Sequence, residues 1–250
     1  MKGFIVNQIN KGRTYSTIVA YIQALKNYFD DNKLDNLTKD ISFKHFKSGI
    51  RRYLKGETCP NAKLPFEITW FQLIIDNYPL NMYENRLLFF YLTLAFSAFL
   101  RISELMSLKK SDIKLSSDEK ILSLHIEFSK TDQFGRGTLS YIYLTDKPWC
   151  PIPYVDVLDN FGDDEKIVKL TESALRSRLR YLSKTIGVVD FDKYNWHSFR
   201  RGGAFYCGIN GVPDYLIKAH GRWKSTSYIR YVSVEMTKAG EEVSNALQNF

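Results

Sequence analysis

Residues 196–232 read WHSFRRGGAFYCGINGVPDYLIKAHGRWKSTSYIRYV and concentrate side chains able to handle a phosphate. His197 and Arg200 are three apart at the start of a predicted helix, so both can project toward one point. A helix N-terminus adds free N–H groups and a positive dipole, which suit an anion. The small residues Gly202, Gly203 and Ala204 let that helix approach another backbone closely. In GRWKS, Arg222 and Lys224 bracket Trp223. Tyr228 and Tyr231 share one helical face, and either hydroxyl is a candidate nucleophile. An arginine, a histidine, an indole N–H and a tyrosine around one phosphate make a metal-free phosphoryl-transfer site. The guanidinium fork matches two phosphate oxygens. Such a site works by positioning and by stabilising the charged transition state. The sequence has no HExxH, no paired-acid metal spacing and no P-loop motif, so metal hydrolysis and nucleotide hydrolysis lack support. No cofactor is expected.

Several elements must hold these groups. Ile68–Tyr78, Met82–Leu100 and Ile102–Leu108 read as helices. Ile121–Phe128 and Leu139–Thr145 flank KTDQFGRGT and predict a β-hairpin with a longish loop. Thr171–Ile186 predicts a helix with Leu175, Leu179, Leu182 and Ile186 inward and Arg176 and Arg180 outward. Two short helices follow over about 198–209 and 213–219, and 233–250 could form a last one. Nearer the N-terminus, Ile18, Tyr21, Ile22, Leu25 and Phe29 fall on one helical face. After Asp40 a second helix turns Phe43, Phe46, Ile50, Tyr53 and Leu54 inward. Its Lys44, Lys47, Arg51 and Lys55 form one basic stripe, either a solvated face or a run of phosphate contacts. The segment 55–65, KGETCPNAKLP, has no period and reads as a linker. Domains are therefore expected at 1–62 and 63–250.

The balance of charge points the same way. Of 250 residues, 35 are Lys or Arg and 27 are Asp or Glu, a formal net charge of +8. Residues 1–62 hold 11 of these bases against 5 acids, net +6. A basic surface favours a polyanion, nucleic acid or an anionic membrane. The longest apolar run, Leu87–Leu100, has 14 residues, short of the roughly 20 that cross a membrane, so a buried helix is expected. No signal peptide is read at the N-terminus. Three widely spaced cysteines without a CxxC pair suggest reduced thiols and an intracellular protein.

At this point the chain resembles the tyrosine recombinases, or phage integrases, over roughly residues 14–248. The phrase SAFLRISELMSLKKSDI supplies Arg101 with Glu104 after it, and the hairpin HIEFSKTDQFGRG supplies Lys130. HSFR supplies His197 and Arg200, GRW supplies Trp223 and SYIRYV supplies Tyr231, all in family order. The wording is most similar to recombinases of mobile elements from eukaryotes and large viruses. The resemblance implies a mainly α fold with a small antiparallel β-sheet: a helical DNA-clamp domain and a catalytic domain, closing as a C-shaped clamp. It implies Tyr231 as nucleophile over Tyr228, although many members place the tyrosine nine residues after the His/Trp position and here the gap is eight. Arg101 and Arg200 would clamp the phosphate, Lys130 would protonate the leaving group, and His197 and Trp223 would assist. Glu104 and His220 would support them. Candidate DNA contacts are Lys44, Lys47, Arg51, Lys55, Arg176, Arg180, Arg201, Arg222 and Lys224. The implied partner is double-stranded DNA, bound by a homo-tetramer on two sites, without metal, nucleotide or membrane. The compartment would be the nucleus in a eukaryote and the cytoplasm otherwise. The first unit shows two or three predicted helices where members usually have about four, so an N-terminal helix is either missing or naturally lacking.

Three other classes fit parts of this pattern. A type IB topoisomerase shares the chemistry but commonly has a histidine where this chain has Trp223. A catalytically silent, domesticated DNA-binding protein would keep the basic surface without strand cleavage, and residues 198–219 also fit a helix–turn–helix. A basic scaffolding protein would use none of the six residues as chemistry.

Overall fold

The computed structural model describes residues 1–57, 64–127, 137–224 and Ile229. The chain folds as two units, Met1–Ala62 and Lys63–Phe250. The described residues are mainly helical, with one small antiparallel sheet.

The first unit has α1 (Lys2–Asn10), α2 (Tyr15–Asp31), a 3₁₀ turn at Leu37–Lys39 and α3 (Ile41–Glu57). Thr14 caps α2, its hydroxyl accepting from the Thr17 N–H at 3.4 Å. Ile5, Ile18, Ile22, Phe43, Ile50 and Leu54 form the unit's own core. The helix α1 is not expected from the sequence. Its one buried residue is Ile5, so it carries no apolar repeat for the eye to find. Tyr53, expected inward, is 62% exposed. Successive helical residues differ by about 100° in direction, and Leu54 takes the inward position instead. On α3, Lys44 and Arg51 are exposed and Lys47 is half-buried, while the Lys55 side chain lies outside what is described.

The second unit continues with α4 (Thr69–Asn77), α5 (Tyr83–Ser97) and α6 (Ile102–Ser107). Then come β1 (Ile113–Leu115), β2 (Ile121–Ile126) and β3 (Thr138–Tyr143). After a 3₁₀ segment at Ile152–Asn160 follow α7 (Glu172–Thr185), α8 (Trp196–Ile209) and α9 (Asp214–His220). Leu87 through Phe96 are all buried, so α5 is covered on every side. That explains its apolar run, broken only by Thr93, whose hydroxyl donates to the Phe90 carbonyl. Among the described residues no helix is long and apolar enough to cross a membrane. Phe66 stacks on Phe199 at 4.1 Å and meets Phe71 edge-on at 5.3 Å, which fastens the start of the unit to α8. Burying side chains of this size contributes about 1.5–3 kcal/mol each.

The sheet has the order β1-β2-β3. Leu122, Leu124 and Ile126 alternate inward, and Leu122 faces Ile142 across the ladder. The hairpin therefore supplies the central strand and one edge of a three-stranded sheet. The sequence does not reveal β1, because three residues before a polar turn give no readable alternation. Both hairpin strands end two residues earlier than predicted. The loop between them, with Lys130, lies outside the described residues, as do Tyr228, Tyr231 and the predicted helix over 233–250.

Where α8 crosses α5 the backbones nearly touch. A Cβ on Gly202 would sit 2.6 Å from the Phe66 carbonyl oxygen, and one on Gly203 would strike the Phe96 carbonyl. This close approach brings the first turn of α8 to the end of α5 and the start of α6.

Candidate active site

The site starts with a cap. The Asn195 side chain accepts from the His197 N–H at 2.9 Å, and Ser198 Oγ accepts from the Asn195 N–H at 3.1 Å. This reciprocal pair fixes where α8 begins. Trp196 is buried and anchors the turn. One turn on, Arg200 is fully buried, 0% exposed. Its two terminal nitrogens donate to the carbonyls of Phe99 and Gly221. Its guanidinium carbon lies 4.1 Å from the centre of the Trp223 ring, a cation–π contact. Gly221 is obligatory here, because a Cβ would overlap that ring.

Arg101 is the N-cap residue of α6. Its N–H donates to Glu104 Oε2 at 3.0 Å and its guanidinium to Oε1. Glu104 is 1% exposed, whereas the Arg101 side chain is 19% exposed. Arg222 Nη2 also reaches Oε2, at 3.0 Å, and Arg200 Nη1 stands 3.8 Å from it. Burial alone would push the Glu104 carboxyl up. Arg222, the Arg101 N–H, the Arg101 charge and Arg200 outweigh it and hold the group below the usual carboxylate range. Glu104 is therefore ionised at neutral pH. Among the described residues, three guanidiniums against one carboxylate leave this cluster at +2. A desolvated excess of positive charge, open to solvent at Arg101, is a receptor for an anion. Phe99 has φ +49°, a left-handed conformation that costs a bulky residue about 1–3 kcal/mol. It turns the Phe99 carbonyl toward Arg200 and Arg222, which both bond it.

His197 is held neutral. Burial is the main cause, with the charges of Arg200, Arg201 and Arg101 beside it, and together they lower its pKa to about 4. A neutral imidazole can accept a proton or donate a hydrogen bond at pH 7. The unfolded chain binds a proton here near pH 6.5 and the folded one near pH 4, so stability falls as pH drops through that window. His197→Asn should lose less stability than the wild type between pH 6.5 and 4, read as urea midpoints at each pH. Equal losses would mean that His197 titrates normally. His220 is also lowered, first by burial. Its Nε2 lies 2.8 Å from the Ser97 carbonyl and its ring stands edge-on to Phe99 at 4.7 Å.

Of the predicted site residues, Arg101, Glu104, His197, Arg200, His220 and Trp223 converge where the ends of α5 and α9 meet the starts of α6 and α8. Trp223 also packs with Phe99, Ala204 and Ile217 in a small apolar cluster. Arg222 differs from expectation. Expected to touch DNA, it has a side chain that is 5% exposed and points inward to Glu104. The cause is a left-handed backbone at Arg222, φ +56°, which turns it back under the helix ends. Arg176 pairs with Glu172 and Arg180 stands 3.7 Å from Asp192, both exposed on α7. Such surface pairs are worth about 0–1 kcal/mol, so either guanidinium can leave its partner for another anion. Arg201 is half-buried and Lys224 exposed. Nothing in the sequence marks the strained Phe99, an aromatic at the end of an apolar run.

No family model and no curated protein matches the chain. Solved structures do. The Tn1549 transposon integrase in complex with circular intermediate DNA superposes with a TM-score of 0.67 at 16% identity, over 98% of this chain and 84% of that one. A lambda integrase dimer bound to a COC′ core site gives 0.61 at 15% identity, over 92% and 63%. The XerH site-specific recombinase bound to palindromic difH substrate gives 0.56 at 13%, over 73% and 53%. The chain thus spans about half the length of XerH. At these identities the likeness is one of architecture: the chain has the fold of the tyrosine recombinases and integrases.

Proposed function

We propose that this chain is a site-specific DNA recombinase that cleaves and rejoins strands through a 3′-phosphotyrosyl intermediate. The observation that carries the reading is the buried +2 cluster of Arg101, Arg200, Arg222 and Glu104 beside a neutral His197. The fold supports it, since proteins of this architecture are found on DNA. Arg101 and Arg200 hold the two nonbridging oxygens of the scissile phosphate and stabilise the charge that grows there. His197 takes the proton of the Tyr231 hydroxyl or donates to the phosphate. The tyrosine oxygen bonds to phosphorus, the bond to the 5′-oxygen breaks, and the electron pair leaves on that oxygen with a proton from Lys130. Attack by a 5′-hydroxyl on the phosphotyrosine reverses the step. One phosphodiester-type bond replaces another, so no nucleotide is consumed, and the guanidiniums serve in place of a metal. Glu104 holds Arg101, and Trp223 holds Arg200 and offers its N–H.

Residues 1–62 act as the DNA-clamping domain and 63–250 as the catalytic one, with a homo-tetramer assembling on two sites. Changing Lys44, Lys47, Arg51 and Lys55 to Gln should flatten the slope of log K against log salt by about 3 to 4, near 0.9 for each phosphate no longer neutralised. An unchanged slope would make the stripe a solvated face.

The test is incubation with a pool of nicked duplexes of random sequence, denaturation, and sequencing of DNA that stays attached to protein. Attached DNA is expected. Salt-dependent binding without attachment would overturn the enzyme reading and leave a silent DNA-binding protein. Relaxation of plasmids at no defined site would favour a topoisomerase.

The same assay examines the leaving group. A positioned acid contributes about 10²–10⁴-fold when an alkoxide departs. Sulfur at the 5′-bridging position leaves as a thiolate and needs little protonation. Lys130→Ala should be nearly inactive on ordinary DNA and largely restored on the sulfur substrate, whereas Arg200→Ala should not be restored. Equal behaviour of the two variants would remove Lys130 from the role.

A further inference from the structure

We propose that Arg222 is a positioning residue for strand cleavage: it occupies one oxygen of Glu104, so that Arg200 keeps its charge for the scissile phosphate. The inference rests on the function proposed above.

Arg222 lies between Gly221, whose carbonyl accepts from Arg200, and Trp223, whose ring Arg200 covers. Its Nη1 donates to the His220 carbonyl at 2.9 Å. Its Nη2 lies 3.1 Å from the carbonyls of both Ala98 and Phe99 and 3.0 Å from Glu104 Oε2. One guanidinium therefore ties the end of α5, the first turn of α6 and the end of α9. These are the three places that carry Phe99, Arg101 and Trp223. Phe99 and Arg222 both have positive φ, and the bond between them helps hold two costly backbone conformations.

The electrostatic consequence follows from the sharing of Glu104. Oε1 takes Arg101, and Oε2 takes Arg222 with the Arg101 N–H. Arg200 is left at 3.8 Å, beyond hydrogen-bond reach of that oxygen. Without Arg222, Oε2 would draw Arg200 away from the Phe99 carbonyl, and the cluster would fall from +2 to +1. A buried pair of opposite charges screens itself from third parties. Arg200 would then offer less to a phosphate, although its own atoms are unchanged. The terminal nitrogens of Arg222 are committed to Glu104 and to the carbonyls of Ala98, Phe99 and His220, so it acts through them and not on the phosphate.

Arg222→Gly removes the cation while keeping a residue at ease with φ +56°. Single-turnover cleavage is measured on the duplex recovered by covalent capture, with either a phosphodiester or an uncharged methylphosphonate at the scissile position. The variant should be about 10–100-fold slow on the phosphodiester, the loss typical of an outer orienting partner. Its deficit against wild type should shrink severalfold on the methylphosphonate, which needs less positive charge, and DNA binding should be unchanged. Arg222→Lys, which returns a cation to Oε2, should recover most of the rate. It carries the test if melting shows the glycine variant unfolded. Equal deficits on both substrates, or a lysine variant as slow as the glycine one, would overturn the inference and leave Arg222 a packing residue. A wild-type protein that attaches to no DNA would instead overturn the proposed function itself.

Discussion

Tyr231→Phe is expected to abolish covalent attachment of DNA while leaving folding and DNA binding intact. The change deletes one oxygen and keeps the ring, so whatever apolar packing the side chain makes is retained. No other atom of that residue can form the bond to phosphorus. The loss should be complete in the capture assay, whereas Tyr228→Phe should retain most of the wild-type yield. Gel-shift affinity for both variants should stay near the wild type. If Tyr228→Phe is the dead variant and Tyr231→Phe the live one, the nucleophile is Tyr228. Retention of capture by both would place the nucleophile on neither tyrosine.

The second large effect is expected at Arg200. Arg200→Lys keeps the charge and loses the fork. In the folded chain that fork spans the Phe99 and Gly221 carbonyls and lies over Trp223. A single ammonium cannot hold both carbonyls and present two parallel donors to a phosphate. Cleavage should fall by about 10²–10³-fold or more, the size seen when one preorganised donor to a developing anion is lost. DNA binding should change little, because most affinity comes from the whole duplex backbone. A thermal melt read beside the rate separates lost chemistry from lost folding, since Arg200 is fully buried. Near-normal cleavage by a folded Arg200→Lys would remove Arg200 from the reaction.

Much of this is legible in the sequence, and the limits are physical. Helices α2, α3 and α7 announce themselves because their inward apolar residues fall at helical spacing, and α5 because ten successive residues, apolar but for Thr93, are buried on every side. The hairpin is legible from its alternation, although both strands prove shorter. Helix α1, strand β1 and the 3₁₀ segment at Ile152–Asn160 escape, because short elements with few inward residues leave too little repeat to distinguish from chance. His197 and Arg200 are readable as partners because three residues on a helix fix their relation locally.

What the sequence alone determined is therefore residue chemistry and local geometry: a helix that starts at a cap, a histidine and an arginine on one face, small residues where a backbone must pass. What only the tertiary structure decided is which charges face inward and which share a partner. Arg222 and Arg200 both stand in basic surroundings, and no local pattern shows that both turn inward. One hydrogen-bonds a carbonyl 101 positions earlier, and the other closes on a carboxylate 118 positions earlier. Such meetings depend on how helices cross, here on Gly203, which lets α8 touch α5, and on Gly202, which lets it touch the backbone at Phe66. Local spacing carries no record of them, because a side chain's burial and its electrostatic partner belong to the packed whole and not to its neighbours in the chain.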